Sequence, residues 1–101
     1  MRMLMQIQLP TAAYNTAVRD GTAGSKTSAI LEEIKPEAVY FTEMDGLRTV
    51  IMIVDLPQAS AIPKLAEPWY LSFNADVSFH IVMNHQDLQD AGFSALAQKW
   101  G

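Results

Sequence analysis

The residues best suited to chemistry are polar side chains spaced two apart in two short apolar segments. Gln6 and Gln8 lie in the first segment, and Ser78 and His80 lie in a later one. Side chains two apart on an extended strand share a face, so each pair points to one side of its strand. Histidine changes charge near neutral pH, which makes His80 the candidate catalytic residue, as a general base or as a group that orients a polar ligand. The alternative interpretation is a buried histidine that hydrogen-bonds to a neighbouring strand or a glutamine.

Other chemistries lack the residues that they need. No acid partner for His80 is identifiable, so Ser78 and His80 do not make a Ser-His-Asp relay. His85 follows the predicted strand end, and an ion shared by His80, His85 and Asp87 would require a sharp turn. The chain has no cysteine, which excludes disulfides, thiolate ligands and thiol catalysis. We therefore expect neither a metal site nor a cofactor.

A glycine-containing segment from Gly21 to Thr27 resembles a phosphate-binding loop but does not match its spacing. Such a loop needs four residues between its glycines and a lysine directly after the second, whereas here two residues separate Gly21 from Gly24. Either the helix packs close to the sheet at the glycines, so that a large side chain there would overpack, or it breaks there. A break would create a new helix N-terminus, where Lys26 and free N–H groups could hold an anion.

Composition predicts a single globular domain over residues 1–101. Half of the residues are apolar, 18% are charged and the formal net charge is −4. No run of Lys or Arg exceeds one residue, which argues against nucleic-acid binding. No apolar run approaches the roughly 20 residues of a membrane span, and the apolar start, which ends at Pro10, is too short for a signal core. We expect a soluble cytoplasmic protein that contacts neither nucleic acid nor membrane.

Periodicity predicts strands and helices in a definite order. Strands are predicted at 3–9, 39–44, 49–54 and 77–83. Thr11 is predicted as the N-cap of a first helix that runs to about Lys35. A second helix, interrupted at Pro68, covers 60–73, and a third covers 87–99. Asp45-Gly46 predicts a hairpin between the second and third strands.

This order predicts an α+β, ferredoxin-like βαββαβ fold with a C-terminal helix added. The four-stranded antiparallel sheet has the order 4-1-3-2, with helices on one face. The other face then collects Leu4 and Val82, either Tyr40 and Thr42 or Phe41 and Glu43, and a candidate ligand-binding set: Gln6, Gln8, Tyr40, Met52, Ser78 and His80. Such a face is too apolar to stay in contact with water, so we expect a second copy of the chain to cover it.

Three segments carry a resemblance to a known group of proteins. They are Pro36–Glu43, Asp45–Arg48 and Ala66–Pro68, which read PEAVYFTE, DGLR and AEP. Together with the element order and the length, they resemble the dimeric α/β-barrel superfamily, and in particular its small bacterial members of unknown function. The resemblance implies a homodimer whose two sheets pack face to face. It leaves the chemistry open, because superfamily members include cofactor-free monooxygenases, dehydratases, isomerases, haem enzymes and proteins without known activity.

Several function hypotheses therefore remain. The first is a small-molecule binding domain that takes a mostly apolar ligand on the inner sheet face. The alternatives are a cofactor-independent enzyme of the monooxygenase or isomerase type, and an interaction dimer without a pocket. Trp69 is predicted to lie in the core, with Glu67 and Tyr70 at a pocket mouth if the helix opens at Pro68. Phe93 and Trp100 are predicted dimer contacts.

Overall fold

The computed structural model describes all residues, 1–101, as four strands and five α-helices. The strands are β1 (Arg2–Leu9), β2 (Ala38–Met44), β3 (Leu47–Asp55) and β4 (Asp76–Ile81). The helices are α1 (Thr11–Asp20), α2 (Ala23–Ile34), α3 (Ile62–Phe73), α4 (His85–Gln89) and α5 (Phe93–Trp100), and a 3₁₀ turn (Ala59–Ala61) precedes α3. Thr11 is the first residue of α1 rather than its N-cap, a position that Pro10 occupies.

The sheet has the predicted topology. Its order is β2-β3-β1-β4, and all three neighbouring pairs are antiparallel. Asp45 and Gly46 form the predicted hairpin turn, and both have the positive φ angles that a tight turn of this kind requires. The order 4-1-3-2 and the α+β, ferredoxin-like class are therefore confirmed.

One face of the sheet is covered by α1, α2 and α3. β1 alternates as expected, with Met3, Met5, Ile7 and Leu9 all buried. Val50, Met52 and Val54 lie beside them on β3. From the helices, Ile30, Trp69 and Phe73 close the same core, and Trp69 is fully buried as the sequence predicts. α3 continues through Pro68, so Glu67 and Tyr70 do not line an opening at a helix break.

The long first helix of the sequence prediction is two helices, separated at Gly21. Gly21 has a φ of 81°, which ends α1 in the left-handed region. A Cβ atom added at Gly21 or Gly24 would meet no atom within 4 Å. The expectation of overpacking against the sheet is therefore wrong, and the alternative of a helix break is the correct one. Gly21 is needed for its backbone conformation, whereas Gly24 lies in open space.

The Asp20 carboxylate stabilises this break. It accepts a hydrogen bond from the Thr22 backbone N–H at 2.9 Å and another from the Thr22 hydroxyl at 2.6 Å. The hydroxyl bond and then the backbone bond lower the pKa of Asp20, because both favour the charged carboxylate. The chain therefore turns from α1 to α2 at Gly21, and the Asp20 carboxylate stabilises the turn.

The C-terminal region is also divided where one helix was predicted. Gly92, with a φ of 76°, separates α4 from α5. α4 begins with a capping box in which Asn84 and Asp87 each accept a hydrogen bond from the backbone N–H of the other. Every residue from Met83 to Gly101 is exposed, and we call residues 83–101 the C-terminal arm.

The arm gives the chain an elongated shape. The radius of gyration is 17.1 Å and the longest dimension is 60 Å. A compact chain of this length has a radius of gyration of about 13 Å. The arm therefore extends from the body instead of packing on it.

Candidate functional site

The face of the sheet opposite the helices is uncovered, and its side chains form three rows across the four strands. We call it the open face. Its first row is Ala38, Ile53, Leu4 and His80; its second is Tyr40, Ile51, Gln6 and Ser78; its third is Thr42, Thr49, Gln8 and Asp76. Apolar side chains dominate the first row and polar side chains dominate the third.

The structure brings most of the predicted site residues to this face. Gln6 and Ser78 are direct cross-strand neighbours, and Gln8 lies one row away. His80 is the cross-strand neighbour of Leu4. Tyr40 lies at the β2 end of the second row and is 67% exposed. Its pairing with Ile51 shows that Tyr40, and not Phe41, is the open-face residue of β2.

Met52 is the exception, and its predicted position on the open face is wrong. It pairs with Met5 and Val39 and is fully buried under the helices. The apolar run of β3 gave no alternation to show which face each residue takes. The open-face residues of this strand are instead Thr49, which is buried, and Ile51 and Ile53, which are half-buried in the single chain.

Asp76 is an open-face carboxylate that sequence reasoning missed, because β4 was predicted to begin at Val77. It lies on the same strand and face as His80 but four residues away, which is about 13 Å along an extended strand. A carboxylate at that distance does not orient the imidazole by a direct hydrogen bond. The two groups therefore mark opposite ends of the open face rather than a catalytic pair.

The polar groups of the open face are available to a ligand or partner. His80 and Ser78 are exposed, and Gln6 and Gln8 are half-buried. The buried Thr49 hydroxyl, in contrast, donates to the Leu47 carbonyl oxygen at 2.9 Å. In a single chain the open face is shallow, since the three clefts of the molecule all lie away from His80.

One of these clefts combines aromatic and cationic side chains, and the sequence did not indicate it. It has a volume of about 330 Å³ and is lined by Leu9, Tyr14, Phe41, Thr42, Arg48 and Thr49. We call it the Arg48 cleft. The Arg48 guanidinium lies 4.8 Å from the centroid of the Tyr14 ring and donates a 2.8 Å hydrogen bond to the Asn15 side-chain oxygen. The hairpin register and the start of α1 bring these residues together across long sequence separations, so no local pattern reveals the cleft.

A second polar cleft lies at the opposite end of the strands, lined by Arg2, Lys35, Glu37, Val54 and Asp55. The Arg2 guanidinium donates to the Glu37 carboxylate at 3.0 Å, and this hydrogen bond raises the pKa of Arg2. Both side chains are exposed, so the pair contributes little to stability. The cleft contains opposite charges that already satisfy each other.

The predicted anion site at the start of α2 is occupied by the chain itself. The Asp20 carboxylate accepts from Thr22 at this helix terminus, and a second anion there would be repelled by it. The Ser25 hydroxyl donates to the Thr22 carbonyl oxygen, and Lys26 lies 6.0 Å from the centre of the Phe73 ring. The segment from Gly21 to Thr27 therefore stabilises the break between α1 and α2.

The fold is ferredoxin-like, but comparison of the sequence with family models and with curated proteins identified no relative. No family model matches the chain, and no curated protein matches it either. None of the helices is long and apolar enough to cross a membrane. The open face and the Arg48 cleft are consequently the observations from which a function has to be inferred.

Proposed function

We propose that the protein is a homodimer that binds a small, mostly apolar ligand between the open faces of two sheets. The observation that carries this proposal is the composition of the open face. Leu4, Ile51 and Ile53 form an apolar centre on the two inner strands. Gln6, Ser78 and His80 place hydrogen-bonding groups beside that centre. Ligand sites are typically apolar concave surfaces with a few polar groups that fix orientation.

A second copy supplies the missing concavity. Two facing sheets pack about 10 Å apart, which encloses the side chains of both faces. Short side chains such as Ala38 and Ser78 leave space in such an interface, whereas Tyr40 and the glutamines reach across it. The ligand class that fits is an apolar molecule with one or two oxygen-containing groups, since His80 and Ser78 can both donate and accept hydrogen bonds.

The role of His80 in this proposal is to hold the polar part of the ligand. The imidazole lies beside Leu4, in the most apolar of the three rows. A hydrogen bond made in such a setting is worth about 1.5 kcal/mol, or about tenfold in affinity. If the bound molecule carries an acidic proton, the same imidazole is placed to accept it as a general base. The protein would then be a cofactor-independent enzyme.

The test uses 8-anilinonaphthalene-1-sulfonate, a fluorescent probe that joins two apolar ring systems to one anionic, oxygen-containing sulfonate group. We expect saturable binding to the dimer and about tenfold weaker binding to the His80→Ala variant. His85→Ala is the matched control, because His85 lies on the exposed arm and outside the open face. Equal affinities of the two variants, with the dimer intact, would show that the facing sheets form an interaction surface without a pocket beside His80.

A further inference from the structure

The helix layer ends between β3 and β2, and the Arg48 cleft lies at this margin. Phe41 on β2 and Val50 on β3 are direct cross-strand neighbours on the helix-covered side of the sheet. Val50 is 1% exposed but Phe41 is 61% exposed, so the helices cover the first residue and not the second. Phe41 and Tyr14, which belongs to α1, both line the cleft. The cleft therefore offers an aromatic surface that its own chain leaves accessible.

Arg48 brings a positive charge to this cleft that no carboxylate of the chain pairs with. The two ion pairs of the structure lie at the start of β1, away from Arg48. Glu43 is the direct cross-strand neighbour of Arg48. Its carboxylate is engaged in the hairpin turn, where it accepts a 3.0 Å hydrogen bond from the Gly46 backbone N–H. The guanidinium consequently remains free to pair with an anion from outside the chain.

Two uncharged side chains of α1 hold the Arg48 guanidinium in position. The Asn15 side-chain oxygen accepts its 2.8 Å hydrogen bond, and the Tyr14 ring lies 4.8 Å away. The bond to Asn15 uses one of the five N–H donors of a guanidinium. The other donors are open to a ligand, and the neutral partners leave the positive charge in place. Arg2 differs, because the Glu37 carboxylate already binds its guanidinium.

The spacing of the groups in the cleft indicates what kind of anion fits. A guanidinium presents a planar fork of donors that matches the two oxygens of a carboxylate. Phe41 and Arg48 are diagonal neighbours across the β2–β3 pair, and such residues lie about 7–8 Å apart. A carboxylate bound to Arg48 would therefore leave an attached ring beside Phe41 and Tyr14, where aromatic rings pack favourably. The cleft volume of about 330 Å³ is in the range of small-molecule sites.

We propose that the Arg48 cleft is a binding site for a small aromatic carboxylate. Arg48 binds the carboxylate, Phe41 and Tyr14 contact the ring, and Asn15 is a positioning residue for the guanidinium. The site lies on the helix-covered side of the sheet, so it is separate from the open face and from His80. It is contained in one chain and does not depend on the homodimer of the proposed function.

The experiment titrates the full chain, labelled with ¹⁵N, with benzoate and follows its amide resonances by NMR. We expect saturable shifts centred on Phe41 and Arg48, and about tenfold weaker binding to the Arg48→Gln variant. Arg19→Gln is the matched control, because Arg19 is also exposed and its loss changes the net charge equally, but it lies in the last turn of α1. Glu43→Gln should bind benzoate at least as tightly as the parent, since it removes a competing carboxylate.

Two further ligands separate the contributions of charge and ring. Benzamide has the same ring without the negative charge, and acetate has the carboxylate without the ring. We expect each to bind about tenfold more weakly than benzoate. Benzamide that binds as tightly as benzoate would overturn the role of Arg48, and acetate that binds as tightly would overturn the choice of an aromatic ligand.

The proposal would also be overturned by the absence of saturable benzoate binding, or by equal losses in the Arg48→Gln and Arg19→Gln variants. Equal losses would mean that benzoate responds only to net charge. His80→Ala should bind benzoate like the parent, because His80 lies on the other side of the sheet. Loss of benzoate binding in His80→Ala would place the probe on the open face, which would refute the Arg48 site and leave the proposed function standing.

Discussion

At the scale of single residues, the two glycines of the α1–α2 connection have different roles despite their proximity. Gly21 has a left-handed backbone that costs other residues about 1–2 kcal/mol, whereas Gly24 lies in the first turn of α2 with free space around it. We expect Gly21→Ala to lower the free energy of unfolding by about 1–2 kcal/mol. Gly24→Ala should leave it unchanged or raise it by up to about 1 kcal/mol, because alanine favours helix.

Urea unfolding followed by circular dichroism measures both changes, and each variant is the control for the other. Equal midpoints for the two variants would contradict the distinction. The sequence indicated that the segment was unusual, but it did not separate the glycines. Their difference depends on the φ angle and on the distance to the sheet, and neither follows from residue types alone.

At the scale of elements, the sequence predicted which face of a strand is covered more reliably where the other face is polar. β1 alternates Gln6 and Gln8 with buried apolar residues, so its covered face followed directly from the pattern. β3 has a continuous apolar run, and the same reasoning placed Met52 on the wrong face. The hairpin register and pairing with β1, which set the face of every β3 residue, are tertiary information. The Arg48 cleft escaped prediction for the same reason.

The corrected position of Met52 has a measurable consequence. A fully buried methionine that contacts the helix-covered core loses packing and leaves a cavity when it is truncated. We expect Met52→Ala to lower the free energy of unfolding by about 2–5 kcal/mol. Leu71→Ala, at an 81% exposed position, should change it by less than about 0.5 kcal/mol. Similar denaturation midpoints for both variants would place Met52 back on an uncovered face.

At the scale of the whole molecule, the chain has two uncovered apolar surfaces and an elongated outline. The open face and the arm are separate surfaces, because the arm extends from the end of β4 away from the body. The sequence predicted the first surface from strand alternation and named Phe93 and Trp100 as contacts. It did not show that the arm extends away from the body, because the helix predicted over 87–99 carries no information about the direction in which it leaves β4.

The homodimer can be tested independently of ligand binding and of the C-terminal arm. We expect sedimentation velocity at micromolar concentration to give a particle of twice the 11.2 kDa chain mass. Ile51→Lys should produce a folded monomer, because Ile51 lies on an inner strand in the middle row of the open face, and an unpaired ammonium group buried there would be strongly destabilising to the interface. Leu71→Lys is the control and should remain dimeric, since its side chain projects from α3 into solvent. A parent chain that sediments as a monomer, or an Ile51→Lys variant that stays dimeric, would mean that the open faces do not meet.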